Sequence, residues 1–377
     1  MSDWPYALLL DELWLRSRRT LVRALEGSGF WPAGPDHWQT MEALESCGKE
    51  IDERFLRTVL SPTEYAYFHS PRAFAVGART PRRRWPLVLA FGEQITRLFA
   101  LCAGEDCGEG PRSDLGAGFN LGISLFDYVL DTALFAATAQ EVHHALERHG
   151  LAGLLDEETC EDFGDRLVQR PPSEARLLLR LIQQFHAGVL RLRPSPEALK
   201  ELAVLLQEAM TAEMASVQVA GPGWEPAAVG VAQAKSVLPF QVLAWLGRHP
   251  ERPRYSEVDK EAHRGLAKEL GQAFALVDDL CDLVEDLQDR AINSLANRPI
   301  QTQESDLDAD AGLDADTAIA ALEALLSSDQ LERAAADVVG HLKVVEQRVD
   351  DLVSQDHQGE AAELLATMRA FLRNWIE

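Results

Sequence analysis

Residues 271–294 read GQAFALVDDLCDLVEDLQDRAINS, and their apolar spacing predicts a helix that carries a run of acids. At about 100° per residue, Asp278, Asp279, Asp282, Glu285, Asp286 and Asp289 fall within an arc of about 120°. Leu276, Leu280, Leu283, Val284 and Leu287 take the opposite side. An amphipathic helix with a solvated acidic face is the plain account of such a pattern. Exposed helices, however, intersperse Lys or Arg at i+3 and i+4. These acids have one another at those spacings, each like pair costing about 0.2–0.5 kcal/mol. A bound polyvalent cation relieves that repulsion, and carboxylate oxygens suit hard ions such as Mg2+. The arc reads as half of a metal site.

A second acid-bearing helix is predicted roughly 150 residues upstream, in FNLGISLFDYVLDTALFAATAQ, residues 119–140. Its 3.6-residue pattern is apolar nearly all round, the mark of a buried helix. Asn120, Ser124, Asp127, Asp131 and Thr138 share one line down it. Two carboxylates on so apolar a helix need a metal, a cationic partner from elsewhere or a water-filled cavity, because isolated buried charge is very costly. The same two acids make a membrane span expensive, and none is expected. Just downstream, Glu141-Val-His-His144 has the Glu-x-x-His spacing of di-iron bundles, but no second copy accompanies it, and a surface helix end explains it more simply.

The 377 residues are 46% hydrophobic and 25% charged, enough for a large core in one domain or two. A net charge of −24 speaks against nucleic acid as the main partner. Five cysteines without a CxxC pair indicate neither a disulfide framework nor a zinc ribbon. With no signal peptide legible at the N-terminus, a cytoplasmic location is expected. Arg79, Arg82, Arg83 and Arg84 form a basic cluster suited to a phosphate or to a surface ion-pair turn. A Gly-rich loop is expected from Ala103 to Gly118. Glu213 lies in an apolar run, as an inward carboxylate or one solvated at the core's edge. Lys235 interrupts another, facing an anion in a cavity or snorkelling to the surface. Residues 301–316 read as an acidic loop, and no strand pattern, repeat or nucleotide fingerprint is present, so the fold class is all-α.

Facing each other across a bundle, the two acid helices would form a carboxylate cage for two or three Mg2+ ions that bind a diphosphate and make it a leaving group. At these residues the chain resembles the class I isoprenoid synthases. SLFDYVLDT stands as a first Asp-rich motif, with DxxxD in place of DDxxD. GQAFALVDDLCDLVEDLQD stands as the second, similar both to the GQxxxxxDDxxD of trans-prenyltransferases and to the NxxxDxxED of squalene and phytoene synthases. The segment PRRRWPL faintly resembles the one that holds isopentenyl diphosphate in elongating enzymes, and Lys235-Ser236 is similar to the Lys-Thr or Lys-Ser of the same fold.

The resemblance implies a helical bundle with a central cavity, Mg2+ as cofactor and a prenyl diphosphate as substrate. It carries metal binding to Asp127, Asp131, Asp278, Asp279, Asp282 and Asp286, and diphosphate contacts to Arg82, Arg84, Lys235 and Arg290. Phe126, Tyr128, Phe240 and Trp245 are candidate cavity-wall aromatics, with core packing as the alternative for each. Residues 1–60 are expected to pack on a catalytic bundle of 61–300, with helices in 317–377 completing it and a homodimer compatible with the family. The implied reaction is a terpene synthase's: ionisation of a prenyl diphosphate, then cyclisation. A prenyltransferase joining two diphosphates, a carboxylate-bridged di-iron protein and a helical partner protein without turnover are the rival readings.

Overall fold

A computed structural model describes residues 4–31, 36–74, 85–105, 110–131, 135–218, 226–248, 257–284, 293, 295, 323 and 325–376. The described elements are helical, and no strand occurs among them. In chain order they are α1 (Trp4–Gly27), α2 (Asp36–Ile51), a π-helical turn (Asp52–Leu56) leading into α3 (Arg57–Val59), and α4 (Pro62–Phe68). There follow α5 (Trp85–Cys102), α6 (Pro111–Asp131), α7 (Ala136–His149), α8 (Glu157–Val168), α9 (Glu174–Arg191) and α10 (Pro196–Gln218). The rest are α11 (Pro226–Gly247), α12 (Glu257–Cys281), α13 (Gln330–Leu352) and α14 (Gln358–Ile376). Among the described residues no helix is long and apolar enough to cross a membrane.

The most deeply placed helix is α5, buried along most of its length and packed by α2, α6, α11 and α14. Its neighbours follow from its composition: an 18-residue helix with apolar residues on every side must be covered all round. One hydrophobic cluster runs from Leu10 in α1 to Ile376 in α14, so both ends of the chain share the core of the middle. Arg18 of α1 is the clearest tie. Its guanidinium donates to the carbonyl of Cys281 at 2.9 Å and of Ile376 at 2.7 Å, closing the C-terminal ends of α12 and α14 together. A cation is favoured there by the unpaired carbonyls of a helix's last turn.

Two expectations are corrected. The glycines of the 103–118 stretch do not make a loop to Gly118: α6 starts at Pro111, where a proline at the first helical position costs no hydrogen bond. Gly116 is instead a notch for α5, since a Cβ there would lie 1.9 Å from Thr96 Oγ1. The predicted helix through residue 140 also breaks, α6 ending at Asp131 and α7 beginning at Ala136, so Thr138 leaves the line of Asp127. Asn120 binds the Val88 carbonyl of α5 at 2.8 Å.

Ion pairs to buried carboxylates lock other parts of the bundle. Ser61 and Glu64 form a capping box at the start of α4. The fully buried Glu64 carboxylate then accepts from Arg176 at 2.7 Å and Arg180 at 3.3 Å, both on α9. Burial pushes the Glu64 carboxyl up, but the hydrogen bonds from Ser61 and Arg176 and the charge of Arg180 outweigh it and hold the group below its ordinary range. Glu93, buried in α5, is met by Arg54 at 3.0 Å and by the Cys47 thiol at 2.9 Å.

Candidate functional site

Four helices converge on one charged centre. Lys235 of α11 pairs with Asp127 of α6, and its ammonium lies 3.5 Å from Glu213 of α10. Asp278 of α12 stands within electrostatic reach of Asp282, Asp127, Lys235 and Asp279. Asp127 of the first acid stretch and Asp278 of the second therefore lie beside one lysine.

Local sequence sets this meeting up. Gly271 sits against the backbone of α11, where a Cβ would come within 2.5 Å of Val237 Cα and 2.9 Å of the Ser236 carbonyl. The glycine thus lets α12 approach α11 beside Lys235. Pro239, inside α11, brings no N–H to the carbonyl of Lys235, so the helical ladder is interrupted at the turn that carries the lysine. At the end of α12 the buried Asn293 amide donates to the Asp279 carbonyl at 2.7 Å, fixing the last turn and the acids it carries. Beyond Cys281 the chain bends at Asp282 rather than running on unbroken.

Burial and the charges of Asp282, Asp127 and Asp279 push the Asp278 carboxyl well above the carboxylate range, with Lys235 pulling the other way. Such a shift is what burial and neighbouring like charges do to a carboxyl. The donors are carboxylate oxygens, the chemistry that hard divalent ions take, so they fit Mg2+. Among the described residues no three carboxylates converge closely enough to ligate an ion, and Asp127 is turned onto Lys235. The side chain of Asp131 lies outside the described residues, as do Asp286, Arg290, Arg82 and Arg84.

One turn back along α6 and α10 the surroundings become apolar. Phe119, Ile123 and Phe126 of α6, Phe185 and His186 of α9 and Met210 of α10 line a pocket of about 80 Å3. Phe126 is the only one of the four expected wall aromatics among its lining residues. Tyr128 packs on Phe74 and Phe135, Phe240 on Phe91 and Phe274, and Trp245 donates to the Ala198 carbonyl at 3.1 Å, so core packing accounts for these three. A larger groove of about 530 Å3 opens at the other end of α10 and α11, but Glu201 there already pairs with both Arg248 and Arg264.

Two sequence readings resolve here. Glu213, for which core-edge solvation was the simpler account, is only 3% exposed and faces Lys235. Its one signal is that of a lone acid in an apolar helical run. Glu141 pairs with Arg170, while His143 and His144 both lie near Glu147, as at a surface helix end.

No family model and no curated protein matches the sequence. Solved structures do. The geranylgeranyl pyrophosphate synthetase of Pyrococcus horikoshii is 13% identical, with 89% of this chain and 98% of that one covered and a TM-score of 0.53. The geranylgeranyl pyrophosphate synthase of Corynebacterium glutamicum is 16% identical, with 93% and 98% covered and a TM-score of 0.48. The linalool/nerolidol synthase of Streptomyces clavuligerus is 13% identical, with 91% and 97% covered and a TM-score of 0.42. The likeness is one of architecture and rests on the first of these. The chain has the helical-bundle fold of the class I isoprenoid synthases.

Proposed function

We propose that the chain is a class I terpene synthase, which ionises a prenyl diphosphate and cyclises the resulting carbocation. The observation that carries this reading is the pairing of Asp127 with Lys235 within electrostatic reach of Asp278, itself beside Asp282, one turn above an apolar pocket. Asp127 and Asp131 would hold Mg2+ from one side and Asp278, Asp279, Asp282 and Asp286 from the other. Bound there, two or three Mg2+ ions would neutralise the diphosphate and make it a leaving group.

The chain's own groups do the rest. Lys235, with Arg82, Arg84 and Arg290, binds the departing diphosphate. The apolar pocket receives the hydrocarbon tail and keeps water from the cation, and the Phe126 ring offers it a π face. At about 80 Å3 the pocket is well below the roughly 300–1,000 Å3 usual for organic ligands, so this reading requires the contact between Phe119 and Phe185, 5.2 Å apart, to open. In this reading residues 61–300 are the catalytic bundle, with 1–60 and 317–377 packed around it.

A second reading is prenyl transfer between two diphosphates. The fold shared with a geranylgeranyl pyrophosphate synthetase and the arginines before α5 favour it. One experiment separates the two: release of diphosphate from C10 to C25 prenyl diphosphates, with and without Mg2+ and isopentenyl diphosphate, the products identified by gas chromatography and mass spectrometry. A cyclic hydrocarbon or alcohol from a single substrate is expected. A longer chain made only with isopentenyl diphosphate moves the assignment to prenyl transfer, and no diphosphate under any condition overturns both.

A further inference from the structure

Lys235 stands between two carboxylates of different kinds. Asp127 is 40% exposed, on the helix whose acids the proposed function gives to the metal. Glu213 is 3% exposed, comes from α10, and belongs to neither acid-rich stretch. A carboxylate so deeply placed is costly unless a cation meets it, and Lys235 at 3.5 Å is a cation within reach. In the chain by itself the lysine leans to Asp127, the closer of the two. There it occupies a carboxylate that a divalent ion would also take, and the two positive charges repel each other at so short a range. An ammonium displaced from Asp127 needs another anion, and its side chain is already within 4 Å of one.

We propose that Glu213 is a positioning residue for Lys235: it receives the ammonium when a divalent cation takes Asp127, and so keeps the lysine in the site, aimed at the diphosphate. The inference rests on the proposed function for the role of Asp127. It makes the metal and Lys235 competitors for one carboxylate and Glu213 the group that settles the competition in the metal's favour. A purely structural ion pair has no such consequence.

The test is a double-mutant cycle read by binding of Mn2+ alone, followed by electron paramagnetic resonance, in wild type, Lys235→Gln, Glu213→Gln and the double variant. Lys235→Gln removes the competitor and is expected to tighten Mn2+ binding about 5- to 10-fold. Glu213→Gln leaves the lysine more firmly on Asp127 and is expected to weaken it by a similar factor. In the double variant the Glu213 effect is expected to shrink to the small through-space contribution of one lost charge. Glu213→Asp, which keeps the charge but draws it back, is expected to fall between wild type and Glu213→Gln, again only while Lys235 is present. Equal weakening by Glu213→Gln with and without the lysine overturns the inference, as does no change in either single variant. Wild-type protein that takes up no Mn2+ overturns it together with the reading on which it rests. The expected cycle in a protein that cleaves no prenyl diphosphate supports the inference and overturns only that reading.

Discussion

Two clusters of acid and base lie in this bundle, one buried at Glu64 and one partly exposed at Lys235, and among the described residues their charge balance is opposite. At Glu64 one carboxylate is met by two guanidiniums and a backbone N–H, and its carboxyl is held below the ordinary range. Around Lys235 one ammonium is shared by Asp127 and Glu213, with Asp278 close by and pushed well above that range. The first cluster has its countercharge built in and acts as a lock. Among the described residues the second gathers more acid than base, the setting in which carboxylates bind cations.

Breaking each cluster separates them. Arg176→Met leaves Glu64 short of a partner in the core and is expected to cost about 3–5 kcal/mol of stability, read by denaturant unfolding. In turnover, Asp278→Asn is expected to lower Mg2+-dependent diphosphate release by about 10²–10³-fold, or about 2.7–4 kcal/mol of transition-state stabilisation. Its melting temperature without metal should hold or rise, because a repulsive charge has gone. A fall in stability as large as that of Arg176→Met would erase the contrast.

A buried histidine gives a third point of comparison. Burial pushes His186 down to about 3, with a backbone hydrogen bond at Leu154 opposing the shift. The unfolded chain binds the proton below about 6.5, so this contribution to stability is complete above that pH and declines as pH falls. Between pH 6.5 and 5 the loss is about 2 kcal/mol. His186→Gln is expected to flatten that part of the stability profile. Smallest is Arg18→Met, expected to cost about 1–2 kcal/mol in thermal or chemical unfolding by uncapping α12 and α14.

How much of this was legible in the sequence depends on the range of the physics. Asp278 and Asp279 at the end of α12 and Asp127 on α6 follow a local pattern of 3.6 residues per turn, but the predicted arc does not run on as one unbroken helix, since the chain bends at Asp282. That Lys235 would meet Asp127 was open, since a lysine in an apolar run has two ways to satisfy itself. Glu64 with Arg176 and Arg180 carried no signal, because 112 and 116 residues separate the partners. Gly116 misled, because a glycine that admits a neighbouring helix and one that turns the chain look alike in one dimension. The break at Phe135, ahead of α7, has no proline or glycine to announce it. The remaining predicted ligands and arginines lie outside the described residues.

The proline of α11 has a mechanical consequence. Beyond it the helix is held: Arg112 donates to the Gly247 carbonyl at 3.0 Å, and Trp245 is tied to Ala198. Before it lies the missing rung at Lys235. A helix held at its far end by those bonds and beside Lys235 by Gly271 of α12 has its softened rung between two fixed points. The motion that moving an ammonium between two carboxylates requires is therefore confined to a few residues, and the core beneath them need not yield.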